Sequence, residues 1–217
     1  MLPPKTFLPF YFFTAILLLL HGVGLVSFTQ QIYYDFCLRT TPLVLLISAA
    51  MVLYAAADKN ACWYRFVVYC ILVAWFVEVA GVHTKAIFGA YTYGSTLGIK
   101  VLGVPPLIGV NWLLCIMGAA SLSLYLGKHW KIGQNAFLAA LITVLYDFLL
   151  EPVAIKLQYW SWENGLPTFQ NYLGWWVVSF FFTFVYYRWV STPFNKLAMA
   201  WLLISGVFLL VLDLFFW

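Results

Sequence analysis

Long apolar runs dominate the chain and predict transmembrane helices. A membrane span needs about 20 predominantly apolar residues, and several windows meet or approach that length. These windows lie near residues 7–28, 42–57, 64–89, 104–126, 134–156, 172–190 and 196–217. The second window is short, and the third is long and unusually polar. Because the connections are brief, we predict an all-α, polytopic membrane bundle of about seven transmembrane helices, with residues 1–217 forming a single integral membrane domain.

Composition supports a lipid environment and narrows the possible partners. Hydrophobic residues make up 65% of the 217 residues and charged residues only 8%, whereas soluble domains average roughly 45–50% and about 25%. The net charge of +4 comes from scattered side chains that form no basic stripe, so nucleic acid is not an expected partner. The four cysteines show no CxxC spacing, and we predict neither a disulfide nor a metal site. The sequence does not indicate an oligomeric state.

Lysine and arginine favour a cytoplasmic N-terminus. With the N-terminus on side A of the membrane, side A collects Lys5, Lys59, Arg65, Lys128, Lys131, Arg188 and Lys196. Side B then collects Arg39, Lys85, Lys100 and Lys156, and three of these lie beside polar stretches. Since cytoplasmic loops carry an excess of basic residues, we expect side A to be cytoplasmic.

Three carboxyl groups fall at membrane depth, where a charge is costly. Glu78, Asp147 and Glu151 lie inside apolar windows, whereas the other acidic residues fall in loops or at helix ends. An ionised side chain near a helix centre costs about 2.5–3.5 kcal/mol on insertion scales, so these residues are candidates for function. Asp147 and Glu151 are four residues apart and therefore share one helix face. We predict that all three share a pocket in the side-B half of the bundle.

Carboxylates held close together in a low-dielectric interior cannot all ionise. At least one of the three is therefore expected to keep its proton near neutral pH, which would place a proton donor beside an acceptor. The alternative is that the carboxyl groups only tie helices together, through hydrogen bonds to Asn111, His83, Tyr146 or a lysine. That alternative accounts for one carboxyl better than for three.

Two side-B loops concentrate turn-forming and aromatic residues near the acids. Residues 81–106 contain glycines, two tyrosines and a Pro-Pro pair, and residues 157–176 are rich in tryptophan and tyrosine. Such rings often form an interfacial belt, and that alternative stays open for each of them. Aromatic faces also attract cations, so buried acids with aromatic walls suit a reaction that forms a carbocation on an apolar substrate. Isoprenoid chemistry is the class that this combination favours.

Several other activities lack their motifs. The chain has no DDxxD-type cluster, no phosphate-binding glycine loop, no HExxH and no clustered histidines. Prenyl transfer, nucleotide chemistry, metalloproteolysis and oxygen chemistry therefore lose support. His21 and His129 are solitary and are expected to have no functional role, while either reading remains open for His83.

Three blocks of sequence resemble a known family. "VEVAGVHTKAIFGAYTYGSTLGIKVLGVPPLIGVNW", "YDFLLEPVAIKLQYWSWE" and "QNYLGWW" together resemble the membrane carotenoid-biosynthesis family that contains γ-carotene 1′,2′-hydratase and bisanhydrobacterioruberin hydratase. The positions that match the family pattern are Glu78, Gly89, Tyr91, Tyr93, Pro105, Trp112, Asp147, Glu151, Pro152, Trp160, Trp162, Asn171 and Trp175. The family often has a second aspartate at the position of Glu151.

The resemblance implies a carotenoid 1,2-hydratase that uses no cofactor or metal. Such an enzyme adds water across the terminal double bond of a γ-carotene-like or lycopene-like ψ end group, within a bacterial or archaeal cytoplasmic membrane. We predict that Asp147 protonates the alkene and that Glu151 or Glu78 tunes this acid and orients the water. The predicted substrate-binding residues are Tyr91, Tyr93, Asn111, Trp112, Trp160, Trp162, Asn171 and Trp175. A membrane carotenoid cyclase, a proton-coupled transporter and a non-catalytic carotenoid-binding protein remain as alternatives.

Overall fold

Seven α-helices and two short strands account for most of the computed structural model, which describes residues 7–216 without the side chains of residues 7, 8, 31 and 32. The helices are α1 Phe7–Thr29, α2 Gln31–Tyr54, α3 Ala61–Thr84, α4 Leu107–Leu126, α5 Ile132–Lys156, α6 Phe169–Trp189 and α7 Lys196–Phe216. Strand β1, Tyr91–Tyr93, follows α3, and strand β2, Trp160–Trp162, follows α5. The predicted all-α class is confirmed.

Two helices, α2 and α3, differ most from the apolar windows in their limits. α2 begins at Gln31 and continues through Pro42, so it has 24 residues and is not short. The window began near 42 because Asp35 and Arg39 interrupt the apolar pattern of the first three turns. α3 ends at Thr84, five residues before the window does, because Lys85 adopts a left-handed conformation with φ of 58°. Glu78 therefore lies about 9 Å, or six residues, from the side-B end of α3.

The helices are suited to a bilayer. Six of the seven described helices are long and apolar enough to cross a membrane, and α6, which is rich in polar and aromatic side chains, does not meet the same criterion. Large apolar side chains such as Leu19 and Phe148 face outward. The chain is therefore an integral membrane protein. Lys5 lies outside the described residues, and the cytoplasmic placement of side A stays a prediction.

α4 is the central helix, and its packing positions one of the acids. It packs against α2, α3, α5, α6 and α7. At Gly109 the backbone of α4 approaches α3 so closely that a β-carbon would lie 2.2 Å from the carbonyl oxygen of Ile71. Only glycine fits this contact, since real β-carbons do not come this close to another atom. The close approach allows Trp112, one turn further along α4, to reach Glu78.

Strands β1 and β2 pair across the side-B loops. They are antiparallel, with Tyr91 opposite Trp162 and Tyr93 opposite Trp160. Since side chains alternate along a strand, all four rings point into the protein while the central Thr92 and Ser161 point outward. The ion pair between Lys85 and Glu163, 2.9 Å long and exposed, also joins the two loops.

Candidate active site

Glu78 is enclosed by three hydrogen-bond donors. The residue is only 3% exposed. Oε1 accepts a hydrogen bond from Nε1 of Trp112 at 2.7 Å, and Oε2 accepts from the hydroxyl groups of Tyr91 and of Tyr93, the latter at 2.8 Å. Burial, together with the neighbouring Glu78 carboxyl, raises the pKa of both tyrosines well above its ordinary value, so the two phenols remain donors. Both oxygens of Glu78 therefore accept at least one short hydrogen bond.

Glu151 is also surrounded by donors. Oε2 accepts hydrogen bonds from Nε1 of Trp160 at 3.0 Å and from Nε1 of Trp162 at 2.7 Å. Oε1 accepts a longer one, 3.3 Å, from Nδ2 of Asn171. Charge-assisted hydrogen bonds of this kind stabilise a carboxylate. They are concentrated on Oε2, and Oε1 has room for a further donor.

Asp147 has the fewest partners of the three buried carboxyl groups. The residue is 0% exposed, and its Oδ2 accepts a 2.7 Å hydrogen bond from Nδ2 of Asn171. Its Oδ1 is buried and has no hydrogen-bond partner among the described residues. The same amide nitrogen of Asn171 thus contacts both Asp147 and Glu151. Leaving a buried polar atom unpaired lowers the stability of a protein by about 1–3 kcal/mol. The unpaired Oδ1 therefore needs an explanation, and a functional role would provide one.

The aromatic rings join the two groups of acids. The tyrosines of β1 donate to Glu78, and the tryptophans of β2, paired with them across the strands, donate to Glu151. On the other side of Glu78, Trp112 stacks on Trp175 of α6, with ring centroids 4.0 Å apart and planes 18° from parallel. Each acid is therefore held by rings from at least one side-B loop or by an amide from α6.

An apolar cavity of about 330 Å³ lies next to these acids, between α1, α2, α4, α5 and α7. This volume is at the lower end of the range typical of ligand sites. The cavity lining contains no Asp, Glu, Lys or Arg. The lining extends along α2 from Phe36 to Ser48, which corresponds to about 18 Å of helix. Its dimensions and chemistry suit one end of a long hydrocarbon.

A second space, the side-B groove, has a different lining. Its volume is about 510 Å³, and it lies at the side-B ends of α5 and α7 against residues 165–167. Glu151, Lys156, Tyr172 and Asp213 contribute polar groups to its walls. One hydrogen bond links the walls of the two spaces. Its donor, Trp160, lines the apolar cavity, and its acceptor, Glu151, lines the side-B groove.

The structure divides the predicted site residues into two sets. Asn111 and Trp160 line the apolar cavity. The other predicted substrate-binding residues surround the carboxyl groups and line neither space; they are Tyr91, Tyr93, Trp112, Trp162, Asn171 and Trp175. Glu78 and Asp147 likewise line neither space. The catalytic and substrate-binding roles stay predictions.

Two histidines lie in surroundings that the sequence did not indicate. His83 is exposed, and its Nδ1 lies 2.9 Å from the carbonyl oxygen of Val79 on its own helix, so it contacts none of the acids. His21, which the sequence gives no role, lines the apolar cavity. Among residues 7–216, no group of three or more His, Cys, Asp or Glu side chains is arranged to hold a metal ion.

Sequence reasoning missed the pairing of the two loops and the contribution of α1, α2 and α7 to a cavity. The signal for the pairing is present in the tripeptides Tyr91–Tyr93 and Trp160–Trp162, which both alternate aromatic, small polar, aromatic. Such alternation is typical of a strand with one buried face. The cavity has no comparable signal, since most of its lining residues are apolar side chains of long helices, where the sequence does not distinguish a residue that faces a cavity from one that faces lipid.

Comparisons with known proteins agree with the resemblance noted in the sequence. Bisanhydrobacterioruberin hydratase from Haloarcula japonica is 35% identical over 111 residues, which is 48% of this chain and 38% of that protein. The chain thus spans well under two thirds of the length of this relative. No solved structure matches. A family model described as carotenoid biosynthesis protein matches residues 40–217, most of the chain, and the chain therefore belongs to this carotenoid biosynthesis family.

Proposed function

We propose that this protein is an enzyme that adds water to the terminal double bond of an acyclic carotenoid end group, giving a tertiary alcohol. The observation that carries the proposal is the buried Oδ1 of Asp147, which has no hydrogen-bond partner within the described part of the chain and lies on a carboxyl group one turn from Glu151. Membership of the carotenoid biosynthesis family supplies the substrate class, and the hydratase name of the relative supports the reaction.

The distribution of donors supports Asp147 as the acid. Glu78 and Glu151 each accept three hydrogen bonds, whereas Asp147 accepts one. Hydrogen bonds to a carboxylate favour its ionised form, and a neighbouring negative charge disfavours it. The proton of the pair therefore resides on Asp147, whose Oδ1–H has no competing acceptor. Glu151 remains the carboxylate.

The reaction then needs only two bond-forming steps. The π electrons of the alkene take the proton from Oδ1 of Asp147, which leaves a tertiary carbocation and an Asp147 carboxylate. The oxygen of water forms a bond to the cation, and the proton it releases passes to Glu151. Transfer of this proton from Glu151 to Asp147 restores both carboxyl groups and completes the cycle. One molecule of water is added in total, and no oxidation state changes.

The apolar cavity holds the hydrocarbon in this proposal. Tyr146 and Leu150 on α5 both line the cavity, and Asp147 lies between them in sequence. The end group therefore reaches Oδ1 by displacing one of these two side chains. Trp160, in the cavity wall, presents an aromatic ring to the developing positive charge, an interaction worth about 0.5–2 kcal/mol. Asn111 also lines this space.

Pigment analysis tests the proposal. The chain is expressed in a host that accumulates lycopene or γ-carotene, and the extracted pigments are measured by mass spectrometry and nuclear magnetic resonance. We expect the mass of one water molecule to be gained for each acyclic end that reacts. An unchanged mass with a new ring would indicate a cyclase instead, and unchanged pigments in the presence of folded protein would contradict an enzymatic role on these substrates.

A further inference from the structure

The side-B groove reaches Glu151 from the side of α5 opposite to the apolar cavity. We propose that water enters the reaction centre through this groove and that Glu151 orients it for attack. The proposal rests on the hydration reaction argued above. It assigns separate routes to the two reactants, with the hydrocarbon entering through the cavity and water through the groove.

The linings of the two spaces support this division. The groove is lined by Glu151, Lys156, Asp213 and the hydroxyl-bearing Tyr172, whereas the cavity lining has no charged residue. Lys156 is exposed, so the groove opens at the side-B surface. A buried water needs two to four polar partners, and liquid water takes about 30 Å³ per molecule. The groove, at about 510 Å³, has both the polar groups and the room.

Pro152 adds an acceptor to the groove wall. Proline has no N–H, so the carbonyl group of Phe148 loses the donor that a helix normally supplies from four residues further on. Phe148, Glu151 and Pro152 all line the groove. A carbonyl oxygen that lacks its helical partner therefore lies one turn from Glu151, where it can accept a hydrogen bond from water.

The hydrogen bonds of Glu151 leave a suitable position for a water molecule. The two indole N–H groups occupy Oε2, while Oε1 accepts only the 3.3 Å bond from Asn171. Oε1 can therefore accept a hydrogen bond from water and then the proton that this water releases on attack. Trp160, which donates to Oε2 of Glu151, also lines the cavity, so its ring separates the water at Glu151 from the hydrocarbon before the cation forms.

Two substitutions test the route by filling the groove from different sides. Ile155→Trp enlarges a side chain on α5, and Leu166→Trp enlarges one on the loop, where Leu166 is 70% exposed. Membranes are first equilibrated in D₂O for long enough that even slow entry of solvent exchanges the proton of Asp147 for deuterium, and they are then incubated with lycopene in D₂O. In each variant we expect the hydrated product to fall at least about 10-fold, because water supply limits capture of the cation. The recovered lycopene should still acquire deuterium, because protonation by Asp147 continues and the cation then loses a proton.

The control is Leu145→Trp, which adds the same ring to an outward position of α5 that is 61% exposed. It should hydrate lycopene at the wild-type rate. Normal hydration by both groove variants would overturn the water route and leave the proposed hydratase standing. Loss of hydration and of deuterium uptake together in both variants would also overturn it, since the groove would then be needed to form the cation. Failure of the wild type itself to hydrate would instead contradict the proposed function.

Discussion

The buried acids of α3 and α5 have nearly the same burial but very different surroundings. Glu78 and Asp147 are 3% and 0% exposed. Glu78 accepts hydrogen bonds from three rings supplied by α4 and β1, whereas Asp147 accepts a single one from an amide that also contacts Glu151. Burial alone therefore does not distinguish a carboxyl group whose two oxygens both accept hydrogen bonds from one with an oxygen that has no partner among the described residues. The partners of each oxygen make that distinction.

Asp147→Asn should have the largest effect. An amide keeps the size of the side chain but cannot donate a proton to an alkene, and general acids contribute about 10²–10⁴-fold to rates. We expect hydration and deuterium uptake to fall by roughly 10³-fold with little change in thermal stability. The rate of product formation per amount of folded protein provides the measurement.

Asp58→Asn is the matched control for this substitution. Asp58 lies in the side-A connection between α2 and α3, where it accepts a hydrogen bond from Asn60. This variant should retain full activity. A correctly folded Asp147→Asn protein with wild-type activity would show that another group supplies the proton.

Glu151→Gln should have the next largest effect and a different pattern. Loss of the carboxylate removes the acceptor for the proton of water, so we expect hydration to fall roughly 10²-fold. Deuterium uptake by recovered lycopene should persist, since Asp147 is intact. Glu163→Gln makes the same chemical change at an exposed ion pair and should leave both readouts unchanged. Parallel loss of hydration and deuterium uptake in Glu151→Gln would assign Glu151 to the protonation step.

Glu78→Gln should affect stability more than chemistry. The amide NH₂ group would face donors that need an acceptor, and leaving such groups unpaired costs about 1–3 kcal/mol. We expect the free energy of unfolding in detergent to fall by about this amount, while activity per folded molecule falls less than about 10-fold. If Glu78→Gln lost as much activity as Asp147→Asn but kept its stability, Glu78 would have to take part in the reaction.

Tyr93→Phe should have the smallest effect. It removes one donor from Glu78 but leaves Tyr91 and Trp112 in place, so we expect a loss of about 0.5–1.5 kcal/mol in unfolding free energy. Tyr64→Phe, at a 55% exposed position, is the control and should be neutral. A thermal unfolding measurement that finds the two variants equal would show that the rings around Glu78 do not support it.

The sequence predicts the helices well because an apolar run of membrane length has few alternatives in lipid. The predicted start of α2 is wrong, because Asp35 and Arg39 interrupt the apolar pattern but not the helix. The predicted end of α3 is also wrong, because nothing in the sequence around Lys85 indicates its left-handed backbone. The sequence indicates which acids are buried, because each stands out in an apolar window. It does not reveal their partners, since the ladder between Tyr91 and Trp162 joins residues far apart in the chain.

The short β-ladder has a consequence for assembly of the protein in the membrane. A slip of one residue between β1 and β2 would turn either Thr92 or Ser161 inward and move the two rings of that strand away from the acid to which they donate. Gly94 opposes such a slip, because its backbone approaches Gln158 so closely that a β-carbon would lie 2.0 Å from the carbonyl oxygen of Gln158. The ladder therefore fixes the direction in which the tyrosines and tryptophans donate, and a chain with the wrong register would leave Glu78 or Glu151 without its loop donors inside the membrane.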